Sequence, residues 1–104
     1  MICLFNISNA QKIYTTQYKN QADIKVYVEK YEYKADLKVY IDHKQYNSEI
    51  KRNTGVWFFT QYKNQADKII YYVKYKNQAD ISIYYMKYKH KAKWVNKNKQ
   101  HLFY

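Results

Sequence analysis

The sequence predicts an all-β fold: one small domain of seven imperfect strand-and-turn repeats, each thirteen residues long. Three observations carry this. The segment QYKNQAD occurs at residues 17–23 and 61–67, and YKNQAD returns at 75–80. After each Ala-Asp pair the chain alternates apolar and polar residues, the period-two pattern of a half-buried strand. A helix is excluded by the period itself, because equivalent residues would rotate by about 220° per copy and share no face.

The units follow in order when anchored on the Ala-Asp pair. A degenerate first unit is anchored at Asn9, with Tyr14 in its strand. The second and third, at Ala22-Asp23 and Ala35-Asp36, are the cleanest. In them Ile24, Val26 and Val28 face one way, as do Leu37, Val39 and Ile41. The fourth is softened to Ser48-Glu49. The fifth and sixth, at Ala66-Asp67 and Ala79-Asp80, keep the alternation through Ile69, Tyr71, Val73 and through Ile81, Ile83. The seventh is Ala92-Lys93. Every step is thirteen residues except Ser48 to Ala66, so five extra residues are expected near 52–59, with 52–57 an exposed loop around Gly55.

Inside each unit the residue types suggest roles. Tyr27, Tyr40, Tyr71 and Tyr84 recur in the strands, while Tyr18, Tyr31, Tyr62, Tyr75 and Tyr88 recur before a polar corner. Since thirteen is odd, an unbroken strand would flip its faces at every repeat, so the corner must reset side-chain direction. Small alanines suit a close backbone approach there. The recurring Asp23, Asp36, Asp67 and Asp80 are expected to accept hydrogen bonds from turn amides, a scaffold role rather than a catalytic one.

Composition agrees. With one glycine and no proline, turns must be made by Asn, Asp, Lys and Gln, and every strand amide stays available as a donor. Fifteen tyrosines, four phenylalanines and two tryptophans are too many aromatics for disorder. The 104 residues fit a single domain, 1–104. Cys3 is the only cysteine, which excludes an internal disulfide; in its apolar setting it reads as a small core residue. The opening residues have no basic flank and no stretch is long enough to span a membrane, so a soluble, cytoplasmic protein is expected.

The runs Ala22-Asp23-Ile24-Lys25-Val26-Tyr27-Val28 and Ala35-Asp36-Leu37-Lys38-Val39-Tyr40-Ile41, with their later copies, resemble the septoil-knot domain family. That family groups small proteins of unknown function, and the resemblance spans roughly residues 6–94. Departures are Ser48-Glu49, the run Ile69-Ile70-Tyr71, and Lys93 where Asp is expected. The resemblance implies a compact β-rich fold wound as a deep seven-crossing torus knot. It brings no established site residues.

Function is signalled mainly by a net charge of +11. Such a field attracts phosphate backbones and other polyanions. The candidate surface for an anionic partner is Lys74, Lys76, Lys87, Lys89, Lys91, Lys93 and Trp94, with Tyr71-Tyr72 and Tyr84-Tyr85 as stacking platforms for unpaired bases. Against this, lysines also solvate sheet edges, and Arg52 is the only arginine. A candidate protein contact is Trp57 and Phe58, in the apolar run of residues 56–59; the alternative is a buried strand. Leu102, Phe103 and Tyr104 would fold back on the sheet or dock a second copy.

No enzyme pattern emerges. His43, His90 and His101 have no ligand-like spacing, and Asp42 beside His43 would face the opposite way on a strand. No catalytic residue, metal site or cofactor is assigned. The reading is a non-enzymatic β-repeat domain of unknown role. Its alternatives are electrostatic binding of an anionic partner such as nucleic acid, or a self-associating, homo-oligomeric module.

Overall fold

The computed structural model describes residues 11–43 and 53–104. Seven strands lie within them: β1 (Gln11–Thr15), β2 (Ile24–Val28), β3 (Leu37–Ile41), β4 (Val56–Phe59), β5 (Lys68–Tyr72), β6 (Ile81–Tyr85) and β7 (Lys93–Trp94). Each begins two residues after its anchor, as the Ala-Asp pattern places it, except β4 in the fourth unit and β7, which begins one residue after Ala92. The corners are single 3-10 turns: the first Lys19–Gln21, the second Glu32–Lys34, the third Lys63–Gln65, the fourth Lys76–Gln78, the fifth Lys89–Lys91. The chain ends in a seven-residue 3-10 helix, Lys97–Phe103, capped by the Asn96 side chain, which accepts from the Asn98 N–H. The fold is therefore strand-rich rather than all-β. Past Trp94 the apolar alternation stops, and nothing holds the tail extended.

The sheet closes. Its order is β4-β1-β5-β2-β6-β3, with β3 pairing back to β4, and all of these pairings are parallel; β7 adds to β3 antiparallel. Strands β1, β2 and β3 take alternate places round the barrel, and β5 and β6 fill the gaps between them. The chain thus circles the barrel twice.

Parallel neighbours normally need a long crossover, usually a helix. Register removes that need here. Thr15, the last residue of β1, and Ile24, the first of β2, both pair with Ile70 on β5 from opposite sides. Val28 and Leu37 flank Ile83 in the same way, Phe59 and Lys68 flank Ile13, and Tyr72 and Ile81 flank Val26. The end of one strand lies level with the start of the next, one strand away. A connector has only to step over the strand between. The same stagger tilts the strands steeply against the barrel axis.

Apolar side chains fill the interior: Ile13, Ile24, Val26, Leu37, Val39, Trp57, Ile70, Ile81 and Ile83 are buried in one cluster with Trp94 and Phe103. Each such side chain contributes about 1.5–3 kcal/mol of burial. The expected inward faces hold in β2, β3 and β6, although the third apolar residue of β2, Val28, is exposed. In β5 the expected Ile69-Tyr71 face is wrong, because Ile70 points inward and is fully buried while Ile69 and Tyr71 are half-buried. The terminal helix folds back as a plug. Phe103 stacks on Trp57 at 5.5 Å and meets Trp94 at 5.8 Å, and Gln11 Nε2 donates to the Phe103 carbonyl at 2.7 Å.

The fourth unit corrects the expected loop. Val56, Trp57 and Tyr62 stand thirteen residues before Ile69, Ile70 and Tyr75, so β4 keeps the register of the later units. Trp57 takes the inward position of Ile70 and is fully buried. The extra residues therefore precede Asn53. Entry into β4 is made by two left-handed residues, Asn53 (φ 58°) and Gly55 (φ 93°). A Cβ at Gly55 would lie 2.5 Å from the Lys38 carbonyl oxygen, so only glycine fits. Cys3, the Asn9 anchor of the first unit and the Ser48-Glu49 pair lie outside the described residues, whereas the first unit's strand is β1.

Among the described residues no helix is long and apolar enough to cross a membrane.

Candidate anion-binding surface

Each connector straddles the strand it crosses and is bonded to it at both ends. In connector 16–23, Thr16 N–H donates to the Ile70 carbonyl at 2.9 Å and Asp23 N–H to the Ile69 carbonyl at 2.8 Å. The Asp23 carboxylate then accepts from the Ile69 N–H at 2.9 Å. Connector 29–36 holds β6 alike, through Glu29 and Asp36; 60–67 holds β1; 73–80 holds β2. The aspartates are scaffold parts, as expected, but their donors are amides of a strand from the other circuit rather than of their own turn. The corners show why Asn and Gln suffice there. Tyr18 and Ala22, for instance, are extended, and the turn closes on Gln21 N–H to the Tyr18 carbonyl.

This straddling decides which lysines meet. The fourth corner packs on β2 and the fifth on β3. The second lies over β6, which sits between those two strands. One face therefore carries connectors 73–80, 29–36 and 86–92 side by side. Lys76 Nζ, on the fourth corner, donates to the Lys34 carbonyl on the second. Of the candidate surface, Lys93 is exposed on β7 and Trp94 is buried, while exposed Lys74, Lys76, Lys87 and Lys91, with half-buried Lys89, lie on these connectors. Lys30 and Lys34 join them, and sequence reasoning missed these two. Their distance along the chain from Lys76 hid the contact, and no periodicity says which units interleave.

Two of the lysines are already committed. Lys76 pairs with the buried Glu29 carboxylate, and Lys89 approaches that of Asp42 at 3.4 Å. These pairs are equivalent, one repeat apart, and fasten corners of the second circuit to strand ends of the first. Glu32 occupies the corresponding lysine position in the second corner and pairs with Lys38 at 2.8 Å. The Lys38 hydrogen bond and charge, with Lys91 and Lys93 nearby, hold the Glu32 carboxyl below its usual range. Lys74, Lys87 and Lys91 have no carboxylate partner among the described residues.

The aromatic platforms differ from those expected. Trp94 is buried, its indole N–H donating at 3.1 Å to the carbonyl and side-chain oxygens of Asn53. Tyr71, Tyr84 and Tyr85 are half-buried, and Tyr85 shares a 2.7 Å hydroxyl contact with Tyr72. Instead the corners present the open rings. Tyr31, Tyr75 and Tyr88 are more than half exposed, and Tyr33 more so. Lys34 Nζ sits over Tyr31 at 5.2 Å, Lys74 Nζ over Tyr75 at 5.7 Å, and Tyr88 lies 5.8 Å from His90. The signal was present in the sequence as the tyrosine that opens every corner.

The candidate protein contact is also redistributed. Trp57 is a core residue, and Phe58 is half-buried in a small cluster with Val56, Tyr40 and Ala92. The apolar run 56–59 is thus a strand, as in the alternative reading, but buried only at Val56 and Trp57, with Phe59 exposed. Among the described residues no three His, Cys, Asp or Glu side chains gather as a metal site.

A family model described as the 7(1) septoil knot domain matches residues 10–95. No curated protein and no solved structure matches the chain.

Proposed function

We propose that this chain, which belongs to the 7(1) septoil knot domain family, is a non-enzymatic scaffold that binds a polyanion on the face made by connectors 29–36, 73–80 and 86–92. The observation that carries this reading is the gathering of lysines from both circuits on one face, beside exposed tyrosines. Lysines there outnumber the carboxylates of Glu29, Glu32 and Asp42. Flexible lysines on an interlocked frame favour backbone contact over base reading, so the binding is salt-dependent and weakly selective. The reciprocal straddling of strands by connectors supports a deep knot of seven crossings, which would keep the face rigid.

Nucleic acid is the polyanion to test first. Gel-shift titration with short single-stranded and duplex oligomers at about 50 and 200 mM salt is the experiment. With some five lysines engaged on a single strand, affinity falls about a hundredfold between the two. No complex at the lower salt overturns the reading.

A further inference from the structure

We propose that the cleft between the second and fifth corners is a subsite for one unpaired base of a nucleic-acid strand lying on this face. The inference rests on the polyanion reading above. It adds a place where the base, rather than the backbone, is held.

The cleft measures about 270 Å³. Pockets for drug-sized ligands usually start near 300 Å³, so this one suits a single heterocycle. Half-buried Tyr84 and Tyr85, from the end of β6, line it together with Met86, whose unbranched side chain adapts to a flat ring. Tyr88 forms an open wall: it is 61% exposed, and its ring is steadied by His90. An aromatic face of this kind stacks on any base.

Charge sets the orientation. Lys87 and Lys91 belong to the same lining; neither makes a salt bridge among the described residues, and Lys91 acts on Glu32 only at longer range. They suit the phosphates on either side of an inserted nucleotide. Glu32 is the one acid there, and Lys38 offsets its charge. Its carboxylate oxygens can accept from an exocyclic amino group. An aromatic wall, free cations and one compensated acceptor match a nucleotide. A fatty chain would leave the lysines without partners, and an acidic peptide would leave the ring faces unused.

The test is fluorescence anisotropy with two labelled single strands of equal charge, one bearing bases and one abasic. The base-bearing strand is expected to bind about tenfold more tightly. Tyr88→Ala removes that advantage, whereas Tyr62→Ala, on the third corner outside the face, keeps it. Equal, salt-dependent affinity for both strands overturns the base subsite and leaves the polyanion reading standing. No binding of either strand at low salt overturns both.

Discussion

Asp80 and Lys25 exchange two hydrogen bonds across the two circuits of the chain. Asp80 N–H donates to the Lys25 carbonyl, and Lys25 N–H donates to Asp80 Oδ2, both at 2.8 Å. Asp67 with Lys12, Asp23 with Ile69 and Asp36 with Ser82 repeat the arrangement. The side chain stands in for a missing strand carbonyl, so the ladder continues where β2 and its neighbour would otherwise part. Asp80→Ala is expected to cost about 2 kcal/mol, since it removes a charged acceptor from a strand amide. Asp80→Asn retains an acceptor oxygen and costs less. Urea denaturation ranks the two, and equal losses would refute the clamp.

Glu29 is buried and paired with Lys76, which reaches it from the fourth corner. Removing only the lysine strands a carboxylate, whereas Glu29→Gln removes the charge and keeps the shape. Lys76→Met is therefore expected to destabilise by about 1–3 kcal/mol, and adding Glu29→Gln to recover part of that loss. A double-mutant cycle by chemical denaturation measures the coupling. Strict additivity would mean that the pair does not fasten the corner.

Tyr85 gives the stability a handle at high pH. Burial first, and then its hydrogen bond with Tyr72, raise its ionisation above the ordinary value of 10.0. The folded state holds the proton more tightly than the unfolded chain. This contribution is full below the unfolded value and fades as pH rises past it. Melting temperature should fall between about pH 9 and about pH 11, and fall less steeply in Tyr85→Phe. Parallel curves for the two proteins would exclude the mechanism.

Periodicity made the strands legible where inward and outward residues alternate cleanly, Ile24 and Val26 against Lys25 and Tyr27. In β5 the adjacent Ile69 and Ile70 blurred the phase, and only Ile70 is inward. The corners were legible too, since their odd spacing forces a reset. Which strands adjoin was not. Thr15, Ile70 and Ile24 lie in one row, but only three-dimensional closure puts Ile70 between the other two. The candidate surface inherits that blind spot: Lys76 could be named, and its neighbour Lys34 could not. Trp94 misled as a surface candidate because a large aromatic in a basic stretch looks like a platform, and Trp57 because an apolar run beside an expected loop looks like a contact. Each is instead core, covered by Phe103 from the tail.

Gly55 is the single glycine, and its place is dictated twice. Its φ of 93° is one that side chains avoid, and an added Cβ would meet the Lys38 carbonyl oxygen at 2.5 Å. That carbonyl is backbone and cannot swing aside. Gly55→Ala is expected to cost about 2–4 kcal/mol, seen as a lower urea midpoint at unchanged slope. Asn53, also left-handed, is the internal comparison; Asn53→Gly relieves φ and keeps the backbone carbonyl bond from Trp94, but loses the side-chain bonds to Trp94 and Gln100, so it too destabilises.

Phe103 shows whether the terminal plug is part of the barrel or an addition to it. Its ring is buried between Trp57 and Trp94, and its carbonyl accepts from Gln11 at the opposite end of the sequence. Replacing it with alanine removes the ring while the backbone bond can persist. The loss should be about 3–5 kcal/mol, the usual cost of deleting a buried phenylalanine. Both indoles would then be exposed to water. Tryptophan emission should shift to longer wavelength before the far-ultraviolet strand signal is lost. Coincident transitions would instead make the plug part of one cooperative unit, and an unchanged emission spectrum would remove Phe103 from the core.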